Sequence, residues 1–131
     1  MIRKCEHIIS TKDGKRAIYV DSINKQEILT YINQDERHKK KFQYITDIIL
    51  GGHKNTSLYD KEDINEKCKD VTAMKFFKGQ ENDRIYCKEI HSSTGTHIVV
   101  TSILHQRKKN KELSAKEFTL IEKVGGYQYE V

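Results

Sequence analysis

The sequence predicts a single α+β domain: a twisted antiparallel sheet of about four strands, with two N-terminal helices and one C-terminal helix. Three observations carry that expectation. Three β-rich segments lie between residues 71 and 104, separated by short polar loops that imply antiparallel neighbours. Three segments with a helical hydrophobic period, two before those strands and one after, are flanked by capping or stop signals. The 131 residues suffice for one modest core.

From the N-terminus, residues 2–9 and 15–20 read as strands around Lys12-Asp13-Gly14-Lys15, and Asp-Gly between such runs is a hairpin signal. Residues 1–14 look like an N-terminal addition that forms a hairpin with 15–20. Asn24 reads as an N-cap, and Glu27 three positions on completes a capping box. Ile28, Leu29 and Ile32 share one side of the short helix that follows. A second helix is expected from Asp35 to Leu50, with Phe42, Ile45, Ile48 and Ile49 as its apolar stripe and Gly51-Gly52 as its stop. Residues 53–70 are polar and irregular, with a helical turn at Ile64 to Cys68. Strands follow at 71–77, 84–90 and 97–104. Ser114-Ala115-Lys116-Glu117 is a further capping box, opening a helix with Phe118, Ile121 and Val124 inward and Gly125-Gly126 at its end. The tail, 127–131, alternates like an edge strand.

Composition narrows the functional classes. One third of the residues are charged and 36% are hydrophobic, a balance that suits a folded chain with an economical core. The net charge is +5 and the pI about 9.0. The cations cluster at Arg37-His38-Lys39-Lys40-Lys41 and at Arg107-Lys108-Lys109 with Lys111. A basic balance favours nucleic acid or an acidic protein as partner, although a charge run also serves as a solvated face. No apolar stretch is long enough to span a bilayer, and Met1-Ile2-Arg3-Lys4 does not open a signal peptide, so a cytoplasmic location without membrane association is expected. Cys5, Cys68 and Cys87 form no Cys-x-x-Cys pair, and Cys5-x-His7 alone is not a zinc pattern. No disulfide framework, metal or cofactor is expected.

Strand periodicity brings particular side chains together. Residues i and i+2 share a face, so Ile85 and Cys87 point one way while Arg84, Tyr86 and Lys88 point the other. In the next strand Ile98, Val100 and Leu104 share one face; Val99, Thr101 and Ile103 share the other, continued by His105 and Arg107. Pairing Ile90 with His97 sets Cys87 against Val100, Tyr86 against Thr101 and Arg84 against Ile103. The apolar sets then coincide on the core side, and Arg84, Tyr86, His105 and Arg107 gather on the opposite side. Lys75 lies near the turn that delivers Arg84, and Lys78 sits in that turn.

Such a patch has the parts for RNA cleavage without a metal: a base for the ribose 2′-hydroxyl, cations for the phosphorane, an acid for the leaving 5′-oxygen, and groups that hold the nucleotide. Arg84 and Arg107 suit the phosphate, since guanidinium binds it in a bidentate manner. His105 suits an acid or base near neutral pH. Lys75 would serve as base only with a depressed pKa. Tyr86 suits stacking on a base or donating a proton, and Lys78, Lys88, Lys108 and Lys109 suit RNA binding. Each residue also has a structural alternative: Arg84 pairing with Asp83 or Glu81, Tyr86 as packing, His105 as a solvated loop residue.

From Lys15 to Val124 the order of elements resembles the RelE/HigB superfamily of bacterial toxins, especially its phage-derived Gp49-like branch. The residues that carry the resemblance are the strand-borne Arg84-Ile85-Tyr86, the β-branched strand from Ile98 to Leu104, the basic Arg107-Lys108-Lys109, and a helix opening Ser-x-x-Glu. The resemblance implies a RelE-like fold and the toxin of a toxin–antitoxin system, a ribosome-dependent interferase that cleaves translated mRNA and is restrained by a cognate antitoxin. It implies phosphate-binding roles for Arg84 and Arg107 and maps a lysine onto Lys75. Leu113 stands where that family carries a tyrosine or histidine, so Tyr127, Tyr129 or His105 would substitute. The alternatives are a gyrase-directed toxin of the same fold, or a catalytically inactive module that binds RNA or protein.

Overall fold

A computed structural model of the chain describes residues 2–62, 64–77, 79–106 and 115–131. Across these residues the elements run β1 (Ile2–Ser10), β2 (Arg16–Asp21), α1 (Lys25–Ile32), α2 (Glu36–Leu50), β3 (Tyr59–Lys61), a 3-10 turn (Glu66–Cys68), β4 (Val71–Phe76), β5 (Asp83–His91), β6 (His97–His105), α3 (Ala115–Gly125) and β7 (Gln128–Glu130). The strands form one seven-stranded mixed sheet in the order β3-β4-β5-β6-β2-β1-β7. This corrects the expected RelE-like sheet of about four antiparallel strands. The difference has a physical cause at each flank. β2 pairs in parallel with β6, which brings the whole β1–β2 hairpin into the sheet, and β7 pairs in parallel with β1. β3 extends the other flank by pairing with β4.

Local chemistry explains most of the elements. In the β1–β2 turn, Asp13 Oδ1 accepts from Thr11 Oγ1 at 2.7 Å and from the Lys15 N–H at 3.0 Å, while Gly14 takes the left-handed backbone (φ 71°) that such a turn needs. Asp35 caps α2 by accepting from the His38 N–H at 2.8 Å. Asn24 precedes α1 but does not cap it; its side-chain amide donates instead to the Ser102 carbonyl at 2.8 Å. Ser114, the expected cap of α3, lies outside the described residues.

Helices cover both faces of the sheet. On one face, α1 and α2 bury Ile28, Tyr31, Ile32, Ile45 and Ile49 against Ile18, Val20, Met74, Phe76, Ile85, Cys87 and Val99. On the other face, α3 and the 3-10 turn bury Ile121, Val124 and Cys68 against Val71, Ala73, Tyr86 and Ile103. Phe118, expected inward, is 40% exposed, and Glu117 occupies the inward position with no exposure. Glu117, Ile121 and Val124 follow the i, i+4, i+7 spacing of one helical face, which turns Phe118 to the flank. At the end of α3, a Cβ on Gly125 would lie 2.4 Å from the Lys67 carbonyl oxygen. Gly125→Ala is therefore expected to lower stability by about 1–3 kcal/mol, read as a shifted denaturant midpoint. No helix among the described residues is long and apolar enough to cross a membrane.

The β5–β6 register differs from expectation. His91 pairs with His97, Ile90 with Ile98 and Cys87 with Thr101; beyond a bulge, Tyr86 pairs with Ile103 and Arg84 with His105. Ser102 is the extra residue, since two steps on β6 match one on β5. Val99 therefore joins Cys87 on the α1/α2 side, whereas Ile98 and Val100 pack with Ala17 on the other. A slip of one residue would ordinarily invert every side chain beyond it. The bulge restores the alternation, so His105 and Arg84 still share a face.

Candidate functional site

Lys75, Arg84 and His105 are direct neighbours on β4, β5 and β6, in one cross-strand row. The row lies on the sheet face that α3 covers. Arg84 Nη1 forms an ion pair with Glu62 Oε1, with 17% and 9% of the two side chains exposed. Glu62 directly follows β3, and its N–H donates to the Val71 carbonyl at 2.9 Å, extending the β3–β4 pairing by one residue. Burial raises the Glu62 pKa above its ordinary value, and the charges of Arg84 and Lys75 offset only part of that effect. Lys75 Nζ donates to the Thr56 carbonyl at 3.1 Å.

At the other end of the row, His105 Nε2 lies 3.9 Å from Glu117 Oε1, with the imidazole 14% exposed. Tyr86, one pleat along from Arg84, donates to Glu117 Oε2 at 3.2 Å. Burial, then the Glu117 charge, pushes the Tyr86 phenol well above its usual range, so it remains a protonated donor at any physiological pH. The arrangement is a guanidinium flanked by an ammonium and an imidazole, with one carboxylate against the guanidinium and a second beside the imidazole. Chemically, that set can bind a phosphate at Arg84 and Lys75 and can exchange protons at Glu62 and His105.

Several expected site residues stand elsewhere. Tyr86 is fully buried under α3 and presents no face for stacking on a base. Lys88 donates to the Gly125 carbonyl at 2.7 Å, where an ammonium complements the C-terminal end of α3. Lys78, Arg107, Lys108 and Lys109 lie outside the described residues, as does Leu113. Of the proposed substitutes, Tyr129 donates to Asp21 Oδ2 at 2.7 Å and lies 2.8 Å from Ser102 Oγ, and Arg3 stacks over the Tyr127 ring at 3.9 Å. The pairing of Arg84 with Asp83 or Glu81 is replaced: Asp83 accepts from the Tyr31 hydroxyl at 2.8 Å and Glu81 binds Arg37. Glu62 and Glu117 were not legible as site residues. Glu62 sits in a polar stretch without periodicity, and Glu117 read as half of a capping box.

No group of three or more His, Cys, Asp or Glu side chains among the described residues is placed to hold a metal ion. No family model, characterised protein or solved structure matches the chain.

Proposed function

We propose that the protein is a metal-independent endoribonuclease. The observation that carries this reading is the row Lys75–Arg84–His105 with Glu62 held against its central guanidinium. Glu62, its pKa raised by burial, takes the proton from a ribose 2′-hydroxyl. The 2′-oxygen attacks the adjacent phosphorus, and the bond to the 5′-oxygen breaks, leaving a 2′,3′-cyclic phosphate. His105 protonates the departing 5′-oxygen, while Arg84 and Lys75 stabilise the charge on the phosphorane.

The biological setting we propose is a toxin held in check by a cognate antitoxin, acting on translated mRNA at the ribosome in the cytoplasm. That setting rests on the sequence motifs around Arg84-Ile85-Tyr86 and the basic segment after β6, and not on the fold. A second reading is favoured by the burial of Tyr86 and Glu117: the cluster braces α3, and the protein binds RNA or protein without cleaving it.

Inducible expression of wild type and His105→Gln in a bacterial host, with primer extension on an abundant translated message, tests these readings together. Cuts within codons that require translation and vanish in the variant support the interferase. Growth arrest with intact messages points to a non-nucleolytic toxin such as a gyrase-directed one, and neither effect points to the binding module.

A further inference from the structure

α2 carries a second cationic surface on the side of the sheet opposite the Lys75–Arg84–His105 row. Arg37, Lys40, Lys41 and Tyr44 follow the i, i+3, i+4, i+7 spacing of one helical face. Lys40 is exposed, and Tyr44, one turn beyond it, is 54% exposed although a tyrosine of a core helix would ordinarily bury its ring. The apolar stripe Ile45, Ile48 and Ile49 already packs α2 on the sheet, so Tyr44 is surplus to folding.

The basic end of this face is fixed in place. Arg37 lies over the Phe77 ring at 3.6 Å and binds Glu81 at 2.9 Å and Gln80 at 2.8 Å. Lys41 Nζ lies 5.5 Å from the same ring, so Phe77 gathers two cations at one spot. Lys39 is partly answered by Glu36 at 3.5 Å. An anionic membrane would require apolar side chains beside the cations, and those of α2 face inward. Cations in line with a solvent-facing aromatic ring instead suit a single-stranded nucleic acid, with phosphates along the cations and a base on the ring.

We propose that this face of α2 is an RNA-docking surface, with Lys40 and Lys41 tracking the phosphates and Tyr44 stacking on a base. It lies on the far side of the sheet from the cleavage site and stands whether or not the protein cleaves RNA. Fluorescence anisotropy with a labelled uridine oligonucleotide of 2′-O-methyl riboses, which has no 2′-hydroxyl to react, reads binding alone. Tyr44→Ala is expected to weaken binding roughly tenfold. Lys40→Ala is expected to make the slope of log affinity against log salt shallower by about 0.7. Lys12→Ala, which removes an exposed cation in the β1–β2 turn away from both surfaces, is expected to bind like wild type. Both α2 variants binding with wild-type affinity and slope would overturn the proposal, as would a wild type that does not bind the probe. Displacement by polyglutamate as effective as displacement by unlabelled oligonucleotide would also overturn it, assigning the face to an acidic protein.

Discussion

Asp21→Ala is expected to cost about 3–5 kcal/mol of folding stability, with Tm lowered by on the order of 10 °C or more. Asp21 ends β2 with no solvent exposure and joins four parts of the chain. Its carboxylate accepts from Arg3 Nε at 2.7 Å and Nη2 at 3.1 Å, from the Tyr129 hydroxyl at 2.7 Å, and from the N–H groups of Ile23 and Asn24 at 2.8 and 3.0 Å. These bonds tie β1 and β7 to β2 and position the entry to α1. Without the carboxylate, the mostly buried Arg3 guanidinium loses its counter-ion and several buried donors lose their acceptor.

The same carboxylate sets a pH dependence. Burial pushes its pKa up, but the hydrogen bonds from Arg3, Tyr129 and the Asn24 N–H outweigh burial and hold it below the ordinary value. The unfolded carboxyl therefore takes up its proton at a higher pH than the folded one. Stability from Asp21 is fully present above about pH 4 and is lost as pH falls through the depressed folded value. Urea midpoints measured from pH 6 to pH 2 are expected to fall less steeply for Asp21→Ala than for wild type. Parallel curves would remove Asp21 as the source.

Arg84→Ala is expected to lower stability by about 3 kcal/mol and, on the proposed endoribonuclease reading, RNA cleavage by about 10²–10³-fold. The stability loss arises because Glu62 keeps a mostly buried charge without its partner. Pairing the change with Glu62→Leu removes that charge, and replacing a buried ion pair by apolar groups is often close to neutral. Arg84→Met with Glu62→Leu is therefore expected to unfold within about 1 kcal/mol of wild type. Cleavage should remain absent in this stable double variant. A double variant that regains both stability and cleavage would show that the pair only holds β3 and β5 together.

Much of the domain was legible from local signals. The Asp13-Gly14 turn, the start of α2 near Asp35, the Ile45–Ile48–Ile49 stripe and the three strands between residues 71 and 105 follow from turn chemistry and hydrophobic period, which act between near neighbours. The grouping of Arg84 and His105 on one face was likewise readable from strand alternation, with Lys75 placed beside them by the turn before β5. Their actual row depends on the Ser102 bulge, and no local pattern announces a bulge. The carboxylates of the site escaped sequence reasoning for a related reason. Glu62 meets Arg84 across 22 residues of chain and Glu117 meets Tyr86 across 31.

By itself, then, the sequence determined the three helices, the strands other than β3 and the alternation of side chains on either side of the bulge, because each is dictated by spacing within a few residues. Only the tertiary structure decided the parallel docking of β2 on β6, the seven-stranded sheet and the closure of α3 over Tyr86. Those depend on burying surfaces from both ends of the chain at once. β2 presents Ile18 and Val20 to the α1/α2 core and Ala17 to Ile98 and Val100, and it can cover both only beside β6.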